Sequence, residues 1–446
     1  MKTLFRSLLA AALFTGASCT ASAQTAPAAP VAPAADTARI TLNPALINAV
    51  NTQTFEQFRE TVRPLIAQMA GKRVVSMGEG THGTAEFYKL RFWLTRILVE
   101  EHGFDRLALE NTYGDTYLLN QALQQRRSTP ASLKPLMQRH LLAMWQNQEM
   151  ADVLTWMQTY NRTHRRDVEL TGIDIMFVTA DAQLLQAGLA KVRNPEVQAA
   201  TAQLLKNAQY NDNYWYKLSD PAFKRNRPEW LANGGEGYKA ADKVLAALAT
   251  AKLPRKQQEV LAGAAKNARL AFDVFYQYEV FKRNSSRDSA FAEMTKFVAG
   301  PRHKVIVWSH NAHVARTVAA AGDSNGGGTG DFLERMFQGQ YYVLATGTAG
   351  GTFAATTDRF ISPASVMTAH PLPQAKAGSW EASLSQVASP VYFFNTHQLG
   401  AQDLQRPLRL VGQTVGSEDF YSDTQLGKSY DALLFVRQST AATPLQ

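Results

Sequence analysis

The sequence predicts an α/β protein: a mainly parallel sheet core flanked by helices, with a large helical insertion lobe. Three patterns predict it. Short apolar runs lead into amphipathic stretches near 73–102 and 304–312. From about 115 to 300 the spacing of apolar residues is mainly helical. After Gly330 short apolar runs return, at 341–346, 391–395 and 431–436. Strands at both ends around a helical middle imply a discontinuous core, over 39–115 and 300–440, and a helical lobe over 116–299. With 446 residues, 45% of them hydrophobic, the chain can fill such a core. Its single cysteine, Cys19, excludes a disulfide scaffold and four-cysteine zinc sites; histidine–carboxylate sites stay open.

The chain opens with a targeting pattern. Lys2 and Arg6 precede the apolar run 8–14, and Ala21-Ser22-Ala23 follows as a small-x-small cleavage site. Residues 1–23 read as a cleaved signal, so the mature chain is expected to be periplasmic or secreted. Lipid attachment at Cys19 is disfavoured by Gly16, which stands where a lipobox wants Leu. Residues 24–38, with Pro27, Pro30 and Pro33, read as an Ala/Pro-rich linker. No later run is apolar enough to span a bilayer, so no stable membrane insertion is expected. Two of the nine net positive charges sit in the signal, leaving +7. That excess is dispersed, with Arg126-Arg127 and His164-Arg165-Arg166 its densest groups, which argues against nucleic acid as a partner. A monomer or weak oligomer is expected.

Along the core, 73–77 reads as a buried strand, followed by the loop 78–83. Thr84 is placed to cap a helix, with Glu86 in its first turn and an apolar stripe of Phe87, Leu90, Leu94, Ile97 and Leu98. Gly103 is placed to end it. Strands follow at 106–109, with Glu110 at the C-terminal end, at 168–170 with 172–174, and at 304–308, before a helix starting near Ala312. The apolar repeat over 257–281 reads as core packing.

Glu79, His82, Glu110, Asp174 and His310 therefore all fall just beyond strand ends, the edge of a parallel sheet where ligands bind. His310 and His313, at i and i+3, face one way on a helical turn; the pair fits a metal half-site, a base with its neighbour, or one functional and one packing histidine. Arg91, at the margin of the apolar stripe, can reach the crevice or snorkel to solvent. Two further motifs are present. Gly78-Glu79-Gly80-Thr81-His82-Gly83 matches the dinucleotide-binding G-x-G-x-x-G. Charge argues against that reading, since Glu79 sets an anion where a pyrophosphate would lie. Gly322-Asp323-Ser324-Asn325-Gly326 matches G-x-S-x-G but lacks the strand before it that a nucleophile elbow needs. With no mature cysteine and no well-placed serine, direct attack by water is the simplest hydrolytic scheme.

The run 78–88, then Arg91, Gly103-Phe104 and Ala108-Leu109-Glu110, resembles the erythromycin esterase family. So do Gly172-Ile173-Asp174, Arg287-Asp288 and the run 310–316. The motifs keep the family's order over most of the chain. The resemblance implies a carboxylic-ester hydrolase that opens lactones, typically the macrocyclic ester of erythromycin-type antibiotics, and hence a role in antibiotic resistance. It implies essential roles for Glu79, His82, Arg91 and Glu110, and for the pair His310 and His313, the first of the pair the more important. One departure bears on macrolide specificity: Phe291 and Met294 stand where the family usually shows Met and Asn.

On these residues the expected mechanism has His82 activating water, oriented by Glu79 or Glu110, with His310 and Arg91 at the oxyanion. His313, Asp174, Arg287 and Asp288 are expected to support the site or line the substrate. No cofactor is required. In the alternative, His82, Glu110, His310 and His313 hold a divalent metal that acidifies water. A periplasmic macrocycle- or haem-binding protein is a third reading. The expected partner is a small-molecule ester or lactone.

Overall fold

The computed structural model describes residues 40–125, 130–218, 220–276, 286–317, 327–358 and 361–445. The signal over 1–23 with Cys19, the linker over 24–38 and Ser324 lie outside them. The strands in chain order are β1 (Asn48–Ala49), β2 (Val74–Glu79), β3 (Arg106–Thr112), β4 (Glu169–Asp174), β5 (Val305–His310) and β6 (Tyr341–Thr348). They continue as β7 (Gly351–Ala355), β8 (Thr368–Leu372), β9 (Val391–Asn395), β10 (Arg406–Arg409), β11 (Tyr421–Thr424) and β12 (Ala432–Val436).

Eight of these form one sheet, in the order β1-β9-β12-β6-β2-β5-β3-β4. From β12 to β4 every pairing is parallel; β9 runs against both of its neighbours. The fold is the mixed α/β architecture that the sequence predicts. Alternate residues enter opposite cores, as strand pleating dictates. Val74, Val305 and Tyr341 enter one core; Val75, Ile306 and Tyr342 enter the other. Helices Phe55–Thr61, Arg63–Met69, Ala85–His102 and Gln148–Thr163 cover the second face. Helices Thr179–Leu189, Arg255–Tyr276 and Arg287–Ala299 cover the first.

The helix Ala85–His102 buries its whole predicted stripe, and Gly103 ends it with a φ of 71°. Thr84 occupies the N-cap position, but its hydroxyl bonds Thr81 rather than capping the helix. The stretch 116–299 also differs from a single lobe. β4 lies within it yet is an edge strand of the main sheet, paired with β3. A parallel β3-to-β4 connection must cross over the sheet, and the intervening helices do so. Thr179–Leu189, Pro195–Lys217, Arg227–Thr250 and Arg255–Tyr276 pack mainly on one another.

One irregularity positions the site. The pairing of β3 with β5 runs from Arg106↔Val305 to Leu109↔Trp308 and stops. The register of β3 against β4 shifts between Leu109 and Thr112. Gly172 permits the shift, because a Cβ there would lie 2.2 Å from the Thr112 carbonyl oxygen. Glu110 thus leaves the ladder at the C-terminal edge of the parallel strands.

Candidate active site

Beyond the C-terminal ends of β2, β3 and β5 lies a cavity of about 370 Å³, toward the small end of the usual ~300–1,000 Å³ for ligand sites. His82, Glu110, Arg287, His310 and His313 line it, with Met144, Leu410 and Phe420 among its apolar walls.

His82 follows β2. Its Nδ1 lies 2.8 Å from Glu79 Oε1, leaving Nε2 as the free ring nitrogen. Glu79 is fully buried and is pinned in turn by Arg91 Nη2. Arg91 is also fully buried, donates Nε to the Phe87 carbonyl at 3.3 Å, and lies over Trp308 at 4.6 Å. Arg91 therefore neither snorkels nor faces the crevice. The expectation that it sits at the oxyanion is corrected: it stands behind Glu79, because the aromatic faces of Tyr88, Trp145 and Trp308 hold its guanidinium inside the core.

Glu110 is the hub. Its Oε2 accepts from Ser309 Oγ (2.6 Å) and from the His310 backbone N–H (3.0 Å). Its Oε1 faces Arg287 Nη2 (3.3 Å) and His313 Nε2 (3.4 Å). The Trp145 indole holds its backbone carbonyl at 3.0 Å. Burial opposes ionisation of Glu110, but the charges of His313, His82 and Arg287 outweigh it and keep the carboxyl far below the usual range.

His310 caps its own short helix. Ala312 N–H donates to Nδ1 at 3.2 Å, so the proton sits on Nε2, which donates to the Val411 carbonyl at 3.1 Å. Both nitrogens are engaged, which corrects the expectation that His310 donates to the oxyanion. Burial, reinforced by His82 at a ring separation of 4.7 Å, pushes His310 well below the ordinary histidine range. It is held neutral.

His313 behaves in the opposite way. Burial works against its charge, but Glu110 and Asp288 outweigh burial and raise its pKa. Its Nδ1 lies 2.9 Å from Asp288 Oδ1, and Thr329 N–H and Oγ fix that same oxygen. Arg287 grips Asp174 through Nε (3.0 Å) and Nη2, and its pKa is raised by that carboxylate against the cost of burial. Asp174 is fully buried and does not line the cavity. Arg287 does line it. The guanidinium at the cavity is thus Arg287, not Arg91.

Sequence reasoning missed three supports. Asn311 clips the β5 end to β6, donating to the Thr346 carbonyl at 2.6 Å and accepting from Thr346 N–H at 3.2 Å. Val411 N–H donates to the Gly80 carbonyl at 2.9 Å, docking the 410–420 loop on the His82 loop. Met144 and Leu142 wall the cavity from a turn with no motif. Of these, only Asn311, beside His310, carried any signal.

The glycines of 78–83 serve close packing. A Cβ on Gly83 would lie 2.0 Å from the Ala354 carbonyl oxygen, and one on Gly78 2.3 Å from Asn311 Oδ1. The metal alternative does not fit either. Among the described residues no three His, Cys, Asp or Glu side chains converge on one ion. The nitrogens of His310 and the oxygens of Glu110 are already committed, and Arg287 adds a positive charge beside them.

The site is thus a histidine–carboxylate pair and a charged cluster at the carboxyl edge of a mostly parallel α/β sheet. The erythromycin esterase family profile matches residues 99–439. The chain belongs to that family and is a hydrolase. A putative hydrolase of Bacillus subtilis (strain 168) is 25% identical over 350 residues, 73% of this chain and 74% of its own length. Erythromycin esterase type II of Escherichia coli is 26% identical over 113 residues, 25% of this chain and 26% of that one. Among solved structures, an erythromycin esterase mutant in its open conformation matches with a TM-score of 0.62 at 18% identity, over 87% of this chain and 96% of that one. A Bacillus cereus protein matches at 0.73 and 19%, over 90% and 97%. At these identities the structures share the fold.

Proposed function

We propose that the protein hydrolyses a carboxylic ester, of the lactone class, by water that His82 activates, with no covalent serine or cysteine intermediate. The observation that carries this is the Arg91–Glu79–His82 chain, which fixes the proton on Nδ1 and leaves Nε2 as the acceptor. Water oxygen attacks the ester carbonyl carbon while its proton passes to His82 Nε2; Glu79 then stabilises the imidazolium. Arg287 is the cavity's cationic donor for the oxyanion. His313, biased toward its charged form, supplies a proton to the departing alkoxide. Ser417 lines the cavity, but its hydroxyl is committed to the Thr414 carbonyl at 2.6 Å. The signal pattern over 1–23 supports a substrate met outside the cytoplasm.

The test is mass analysis of erythromycin and a panel of other lactones and esters, incubated with wild type and with His82→Ala. A gain of one water with wild type, reduced at least about a hundredfold in the variant, is expected. No hydrated product from any panel member, or equal rates in both proteins, would refute the proposal.

A further inference from the structure

The turn Ala143–Trp145 separates the reaction cavity from a second cavity of about 350 Å³. Met144 lines both. Leu142 and Ile361 face the first, while Ala143 and residues 363–367 face the second. Backbone and amide bonds stitch this wall together: Ala143 N–H to the Ser362 carbonyl (3.2 Å) and Gln146 Nε2 to the Pro363 carbonyl (2.7 Å). Met144 is the residue common to both linings, and an unbranched thioether readily repacks.

The two cavities differ in chemistry. The first holds His82, Glu110, Arg287 and His313. Among the described residues, none that lines the second is ionisable. It combines apolar Ala354, Met367 and Leu445 with the polar groups of Gln138, Asn147 and Ser365. Val366, on the same lining, is 72% exposed, the highest value among the large apolar side chains described. Such a surface suits an apolar stem bearing hydroxyl groups. A charged group there would lose hydration and meet no counter-charge on the described lining residues.

We infer that the second cavity is a substrate subsite for the uncharged, hydroxyl-bearing arm of an ester whose carbonyl lies at His82. Resting on the ester-hydrolase reading above, this narrows the substrate to extended neutral amphiphiles that reach past Met144.

The test uses octyl glucoside below its micellar concentration as the probe, with binding followed by calorimetry. Ala364 lies on the cavity lining and is exposed, so an indole placed there fills the cavity without entering the core. Wild type, His82→Ala and the small-residue control Ala364→Ser are expected to bind with the same affinity. Ala364→Trp is expected to bind at least tenfold more weakly. Hydrolysis of p-nitrophenyl acetate by wild type, measured in parallel, tests the ester reading separately. No saturable binding by wild type, or undiminished binding by Ala364→Trp, would overturn the subsite. Binding as expected with no acetate hydrolysis by wild type would remove the ester reading and leave a binding cavity whose ligand is not a substrate.

Discussion

Arg91→Met tests whether the positioning chain is a buried ion pair. Arg91 and Glu79 are both fully buried, and His82 is the other group on the Glu79 carboxylate. Removing one partner of such a pair typically costs about 3–5 kcal/mol, because the remaining charge is stranded out of water. Unfolding entropy of roughly 2.1 cal/mol/K per residue over about 400 residues comes to about 0.8 kcal/mol/K, so Tm should fall by about 4–6 °C. The same loss should appear in the urea midpoint. Glu79→Gln/Arg91→Met removes both charges while keeping an acceptor for His82 Nδ1. The double variant should therefore be no less stable than Arg91→Met alone. If Arg91→Met costs under about 1 kcal/mol, or the double variant loses the sum of the two single losses, the pair is not the unit described here.

Three further outcomes are expected. His313 has a raised pKa, so the acid form that protonates the alkoxide is lost as pH rises through that value; His313→Gln should lower kcat by about a hundredfold and abolish the alkaline limb of the kcat profile, and an unchanged profile would refute its role. Gly83→Ala drives a Cβ against the Ala354 carbonyl and should cost about 1–3 kcal/mol in urea unfolding, together with a fall in kcat, whereas Gly412→Ala, whose Cβ would meet nothing closer than 3.8 Å, should be neutral. Burial raises Glu381 from 4.5 to about 7, so between those values the folded state binds the extra proton and stability falls as pH rises through about 7. That penalty is about 3 kcal/mol above pH 7, so Glu381→Gln should raise Tm at pH 8 and leave it nearly unchanged at pH 4; an equal effect at both values would disprove the link.

The elements with strong local signals were legible in the sequence. The stripe from Phe87 to Leu98 and the stop at Gly103 follow from helical periodicity and glycine's freedom at positive φ. The run 391–395 coincides with β9. What was not legible depends on distant partners. No local pattern places β4 as an edge strand, because that depends on β3 beside it. Arg91 and Arg287 exchanged roles because three aromatic rings bury one guanidinium, and those rings come from three separate segments. The engagement of His310 depends on the Val411 carbonyl, 101 positions away, and a backbone acceptor leaves no trace in residue identity. The five residues expected beyond strand ends do meet at one sheet edge, but Glu79, Asp174 and His310 are the last residues of their strands, Glu110 lies within β3, and only His82 follows a strand. Parallel strands share that edge by topology, so strand ends alone could reveal it.

The departure of Glu110 from the ladder has a consequence for how the molecule comes apart. Peptide groups zip β3 to β5 as far as Leu109↔Trp308, and beyond that point the join is a carboxylate. That last stitch is a pair of charge-assisted hydrogen bonds, so protonation weakens it while the peptide zip persists. The Glu110 carboxyl is held far below its ordinary range, so the stitch is complete above ordinary carboxylate pH values and is lost only as pH falls through its own depressed value. In strong acid the sheet should therefore fray first at this carboxyl edge, with the His310 amide exchanging before the amides of 305–307. The edge that lines the candidate site is then also the seam along which unfolding begins.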